Sequence, residues 1–325
     1  MSKCKYTSIG GQALIEGIMM KGPVGTAMAV RTKDGEIDLS MLEEVNLRKK
    51  YKILALPLIR GVVGFGESLV NGYKALMLSA EKSGFTDLEE EESTPKDEKK
   101  QSAILNIAMV IGTVLGVILA IVLFTALPRF VVGGLQAIFK TEFSSLTHSF
   151  IEQFLKLAVF VLYVWLVSFM KDIRRTFMYH GAEHKTIFCY EAGLELTVEN
   201  VKKQKRLHPR CGTSFLILMI LVSMIVSTVV QMIFPGVYDI AWLWITAKIL
   251  MLPLICGLGY ELLKICGKYD NLLTRIISAP GMWLQKITTK EPEDDMIEIA
   301  IAALKACDEI EDTKPEEETE NNDDI

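Results

Sequence analysis

Apolar positions in this chain come in long runs separated by short polar islands. Ala103 to Leu127 is 25 residues without a charged side chain, and Gly212 to Tyr238 is 27; about 20 apolar residues in a helix span a bilayer. Two further runs, Phe154–Met170 and Ile240–Tyr260, carry one lysine each, Lys156 and Lys248. The pattern predicts an α-helical polytopic membrane protein with four transmembrane helices in 102–267. Lysines and arginines crowd the flanks of these runs on one side: Lys96, Lys99 and Lys100, the 171–211 loop, and Lys264, Lys268 and Arg275. The opposite connections hold only Arg129 and Lys140. Cytoplasmic loops carry the excess of positive charge, so both termini and the 171–211 loop are expected in the cytoplasm.

Before the runs, the pattern changes period. Gly10 to Met20 is a glycine-punctuated apolar stretch holding Gln12 and Glu16. Thr26–Arg31 and Glu36–Met41 flank Lys33-Asp34-Gly35, the pattern of a β-hairpin on a primed turn. Residues 1–86 therefore read as a small cytoplasmic α+β cap. Within it, Leu54–Ala80 is interrupted by Arg60, Glu67, Lys74 and four glycines, which fits an interfacial or re-entrant helix with small residues at a packing face; a soluble core helix is the competing form. After the runs, residues 268–307 form a cytoplasmic segment in which Glu291–Cys307 opens with acids and a proline and continues at helical spacing, predicting an amphipathic helix.

Charge adds little. The net value is −5, but the acids concentrate in a linker, 87–101, and a tail, 308–325, both expected to be disordered. No basic patch with interleaved aromatics points to nucleic acid. The six cysteines form no disulfide framework, and the N-terminus lacks the apolar core of a signal peptide, so the internal helices must direct the chain to the bilayer. Two side chains sit awkwardly in this scheme. Lys248 lies inside the fourth run, where an ionisable group is expensive and often functional, and Glu261 is expected at its cytoplasmic mouth. Glu67 and Glu16 are further candidate functional carboxylates.

The chemistry concentrates in one polar island. Three of only four histidines lie at His180, His184 and His208. His180 and His184 are four apart, which on a helix puts both rings on one face. The string His180-Gly181-Ala182-Glu183-His184 fits H-x-x-E-H, in which two histidines bind zinc and the glutamate activates water. Glu191, seven beyond His184, returns to that face. His208-Pro209-Arg210-Cys211 adds an H-x-x-C pair suited to a zinc half-site. Four ligands from His180, His184, His208 and Cys211 would make a closed structural site. Three would leave a position open, with Glu183 as general base and Arg210 stabilising developing negative charge. A cluster with no metal, solvating a helix end or binding phosphates, remains the alternative.

Taken together, GGQALIEGIMMKGP at Gly10–Pro23, YHGAEHKTIFCYE at Tyr179–Glu191, HPRCGTSF at His208–Phe215 and the block Pro280–Ile299 resemble the YqhQ-like bacterial membrane family. The resemblance covers nearly the whole chain except the linker and tail. It implies a multi-pass bacterial inner-membrane protein and the label of predicted metal-dependent enzyme, and it brings no substrate.

The expectation is therefore a Zn2+-dependent hydrolase at the cytoplasmic membrane surface, acting on a peptide or amide bond. The rival is a non-enzymatic assembly factor for membrane or secretory-pathway proteins, its cluster serving as a staple. A transporter resting on Lys248 and Glu261 is third.

Overall fold

The computed structural model describes residues 7, 9–85, 111–112, 114–141, 143–234, 236–237, 240–269 and 271–308. The expected linker, the tail beyond Asp308 and the start of the first apolar run lie outside them.

The glycine-punctuated segment and the expected hairpin together build one antiparallel meander, β1 (Gly10–Leu14), β2 (Gly17–Lys21), β3 (Thr26–Arg31) and β4 (Ile37–Leu42), in the order β1-β2-β3-β4. The hairpin is thus half of a four-stranded sheet. Its connection is also longer than a two-residue primed turn: Arg31 pairs with Ile37, and the Gly35 N–H closes a turn onto the Thr32 carbonyl. Side chains alternate across a strand. In the central strand β3, Ala27 and Ala29 face one core while Met28 and Val30 face another.

Those two cores are roofed by distant segments. A short helix α1 (Leu47–Lys50) leads to α2 (Ile59–Lys82), whose second half packs Ala75, Leu76 and Leu78 against Leu14, Met28 and Val30. The opposite face takes α5 (Lys171–Glu191) and α10 (Asp294–Cys307), through Tyr179, Ala182, Met296, Ile299 and Leu304. The C-terminal helix is therefore a core element of this α/β module.

Four helices are long and apolar enough to cross a membrane: α3 (Val114–Phe139), α4 (Ser145–Val167, apolar from Thr147), α7 (Gly212–Ile233) and α8 (Ala241–Lys268). Their limits shift from the sequence expectation. The described part of the first continues to Phe139, so Arg129 lies within it and not in a connection. The second begins earlier and takes in Glu152, which pairs with both Arg129 and Lys156. Mutual neutralisation removes much of the charge signal that places a boundary. Trp242 is 68% exposed, as an interfacial residue would be, but Trp244 is 1% exposed and packs with Val222, Met251 and Ile255.

Two links join the halves. The first turn of α2 meets α8, where Arg60 binds the Glu261 carboxylate through Nε at 2.7 Å and Nη2 at 2.5 Å. A further helix, α9 (Leu272–Thr288), is started by a capping box at Asn271 and Thr274 and packs along the start of α7. The remaining helix, α6 (Val198–Lys202), follows the Gly193 turn.

Candidate metal centre

The long helix α5 carries the H-x-x-E-H string in its buried middle, Tyr179 to Ile187. Such a run of His, Glu and Lys inside a core is tolerable only if each polar group finds a partner. Lys185 finds the Lys202 carbonyl at 2.9 Å and the Glu291 carboxylate. Gly181 is where the chain returning from α9 crosses the helix: a side chain there would overlap the Lys290 carbonyl, and the Lys290 N–H donates to the Phe177 carbonyl at 2.8 Å.

The two histidines are oriented by main-chain carbonyls. His180 Nδ1 lies 2.9 Å from the Thr288 carbonyl at the end of α9, and His184 Nδ1 lies 2.5 Å from the Arg206 carbonyl. A carbonyl only accepts, so each Nδ1 carries the proton and each Nε2 presents a lone pair. Cys211 caps the N-terminus of α7, its sulfur 3.5 Å from the Thr213 N–H. His180 Nε2 is 3.1 Å from Cys211 Sγ, and one ligand atom from each of His180, His184 and Cys211 falls within 4.8 Å of the other two. His184 Nε2 is buried and makes no hydrogen bond. Burial lowers the His184 pKa, with the neighbouring sulfur opposing, and keeps the ring in the neutral form that binds metals. Carbonyls fixing the far nitrogens of ligating histidines are the usual outer shell of a metal site.

Glu183 lies beside this trio but outside it. Burial pushes its carboxyl above the usual range, opposed by His180 and by a hydrogen bond from the Gly11 backbone. Strand β1 comes so close that a Cβ on Gly11 would stand 3.0 Å from the Glu183 side chain and 2.7 Å from the Met19 carbonyl.

His208, whose ring centroid lies 5.5 Å from that of His184, and Glu191 form an adjoining network. Glu191 accepts from the Thr7 N–H at 3.2 Å, the Thr7 hydroxyl at 3.1 Å and Arg210; Arg210 also donates to the Thr7 carbonyl at 2.8 Å. His208 Nε2 points to the same carboxylate at 3.9 Å. Burial raises the Glu191 pKa, but bonds from His208, Arg210 and Thr7 outweigh it and bring it down to about 2. Glu191 is thereby committed to a cationic neighbour, and Arg210 is held in the wall of the site.

The other carboxylates singled out in the sequence lie elsewhere. Glu16, in the β1–β2 turn at φ 50°, binds Arg175 and takes a hydrogen bond from the Tyr179 hydroxyl at 3.2 Å, fastening the hairpin to α5. Glu67 is buried and accepts from the Arg48 N–H at 3.1 Å and its guanidinium at 2.7 Å. Lys248 joins Glu152 among the apolar helices, and Glu261 joins Arg60. Gly11, Gln285 and the carbonyls of Arg206 and Thr288 are site elements the sequence reading passed over. Only Gly11 carried a signal, as a glycine inside a strand marks close backbone approach.

Residues 56–309 match the family model described as "Protein of unknown function (DUF1385)". The "Uncharacterized protein YqhQ" of Bacillus subtilis (strain 168) is 35% identical over 307 residues, covering 94% of this chain and 93% of that protein. No solved structure matches the chain.

Proposed function

Since the chain belongs to the family described as "Protein of unknown function (DUF1385)", we propose from the donor set alone that it is a zinc-dependent hydrolase. His180, His184 and Cys211 would be the ligands and Glu183 the general base. One observation carries this reading. His184 Nε2 is a buried lone pair with no hydrogen bond, facing an imidazole nitrogen and a sulfur. An unmet buried acceptor costs about 1–3 kcal/mol, and a cation at that point removes the cost.

Two neutral imidazoles and one thiolate are ligands zinc accepts, and three protein ligands are the number found in catalytic zinc sites. A bound zinc would supply Lewis-acid chemistry, polarising a substrate carbonyl. Glu183, one residue before His184, holds its proton affinity above that of an ordinary carboxylate, the direction a general base requires. A peptide or amide bond is the substrate class that such a base and metal serve. The distribution of basic residues supports a site facing the cytoplasm at a bacterial inner membrane.

Burial of all three ligands favours a second reading, in which the metal staples the polar loop of a membrane or secretory-pathway assembly factor. Elemental analysis of the purified protein is the first test: both readings expect one zinc per chain, lost in His184→Ala. Absence of metal, with His180→Ala leaving stability unchanged, sinks both. In a cell-based complementation assay, the hydrolase requires Glu183→Gln to abolish function while zinc and fold survive. A silent Glu183→Gln beside a severe His184→Ala leaves only the staple.

A further inference from the structure

Three of the four long apolar helices bring charge to one point. Glu152 of α4 is 2% exposed. Lys156, one turn along the same helix, pairs with it at 2.5 Å; Arg129 of α3 approaches it at 3.7 Å and Lys248 of α8 at 3.6 Å. Among the described residues, three cations therefore face one carboxylate, and two positive charges are unmatched. Hydrogen-bonding capacity is equally lopsided. A guanidinium offers five N–H donors and each ammonium three, against roughly four lone-pair positions on a carboxylate.

An unmatched charge among apolar helices is expensive and is characteristically found at functional sites. Lys248 is also held in place: its Nζ stands 5.1 Å from the centroid of the Trp244 ring, and Trp244 is itself locked by Val222 and Met251. The cluster keeps an open side, since Arg129, Lys248 and Lys156 retain 32%, 29% and 17% exposure. The helices that carry it also expose Phe150, Phe154 and Trp242 elsewhere on their surfaces. It is remote from the metal centre. Gly259 of α8 rests on Phe215 and Met219 near the start of α7, and Lys248 lies eleven residues earlier, about 16 Å farther along the helix.

We propose that Arg129, Lys156 and Lys248 form a binding site for a phosphate-bearing anion within the apolar helices, with Glu152 spacing the cations. A phosphate group supplies both the missing charge and several acceptor oxygens in one compact body. The same chemistry is offered by an anionic lipid headgroup and by free phosphate; the exposed apolar faces of α4 and α8 suit acyl chains. The site does not depend on the metal reading.

The test uses the full-length protein in a non-ionic detergent, with native mass spectrometry and thermal-shift titration of three probes: phosphatidylglycerol, diacylglycerol with the same chains, and inorganic phosphate. Binding of phosphatidylglycerol but not diacylglycerol, weakened about tenfold or more in Lys248→Met, supports a lipid site. Comparable saturable binding of inorganic phosphate, lost in the same variant, supports a site for a soluble anion. Glu152→Gln removes the competing carboxylate, so the proposal expects tighter phosphate binding there, opposite to Lys248→Met. Equal affinity of wild type and Lys248→Met for every probe, or no binding of either phosphate probe, overturns it.

Discussion

Gln285 grips the main chain of His208 from both sides. Its side-chain oxygen accepts the His208 N–H at 2.8 Å, and its amide nitrogen donates to the His208 carbonyl at 2.8 Å and to the Ser214 hydroxyl at 2.9 Å. Gln285 is fully buried, so Gln285→Leu strands several polar groups away from water. The expected cost is about 2–4 kcal/mol of stability, from roughly 1–3 kcal/mol for each stranded group. The thermal unfolding midpoint in detergent measures it, and an unchanged midpoint would contradict the assigned role.

Gly181 and Gly11 make a paired prediction about backbone approach. In Gly181→Ala the new methyl meets the Lys290 carbonyl, a rigid main-chain group, so the segment entering α10 must lift. Overpacking of this kind costs about 1–3 kcal/mol or more. Hydrogen exchange over 294–307 should accelerate in Gly181→Ala. In Gly11→Ala the strain falls instead on the Met19 carbonyl and Glu183, and exchange should rise in β1 and β2.

The Glu191 network has a pH signature. Its folded pKa of about 2 lies below the unfolded value of roughly 4.3. A depressed carboxylate stabilises the fold fully above its unfolded pKa, and that contribution fades as pH falls from about 4.3 toward 2. Two units correspond to roughly 2–3 kcal/mol. Wild type should therefore lose more stability than Glu191→Gln between pH 5 and 3, with the two profiles parallel above pH 6. Unfolding midpoints at a series of pH values would decide the matter.

Glu67 and Glu261 should separate sharply. Glu67 is buried and holds both the backbone and guanidinium of Arg48, so Glu67→Gln is expected to cost about 1–3 kcal/mol. The Arg60–Glu261 pair is partly open to its surroundings, and Glu261→Gln should cost about 0–1 kcal/mol. Equal losses in chemical denaturation would mean that one pair has been misread.

What could be read from the sequence followed from periodicity and spacing. Twenty-residue apolar runs need no tertiary context, and the i, i+4 relation of His180 and His184 is a property of one helix. The limits of those helices were harder, because Arg129 and Glu152 cancel one another only once α3 and α4 meet. Glu67 stood out only as a carboxylate in an apolar stretch, since nothing local announces Arg48 as its partner. Which of His208, Glu191 and Cys211 lies within reach of both His180 and His184 was also closed to the sequence. It turns on Thr7 and Arg210 drawing Glu191 aside, and Thr7 is 184 residues away. Trp244 is buried through contacts on α7 that its own helix does not reveal.

The burial of α10 against β2 and β3 sets a timetable for biosynthesis. Its residues, 294–307, are translated after every apolar helix, yet Met296, Ile299 and Leu304 complete the core that seats Tyr179 and Ala182 on α5. Until they emerge, β2 and β3 lack most of their cover on one face and the helix bearing His180, Glu183 and His184 lacks its outer support. Every long apolar helix is thus translated before the last piece of this core, so a chain stopped short of residue 294 would hold all the residues of the His–Cys cluster without the helix that braces them.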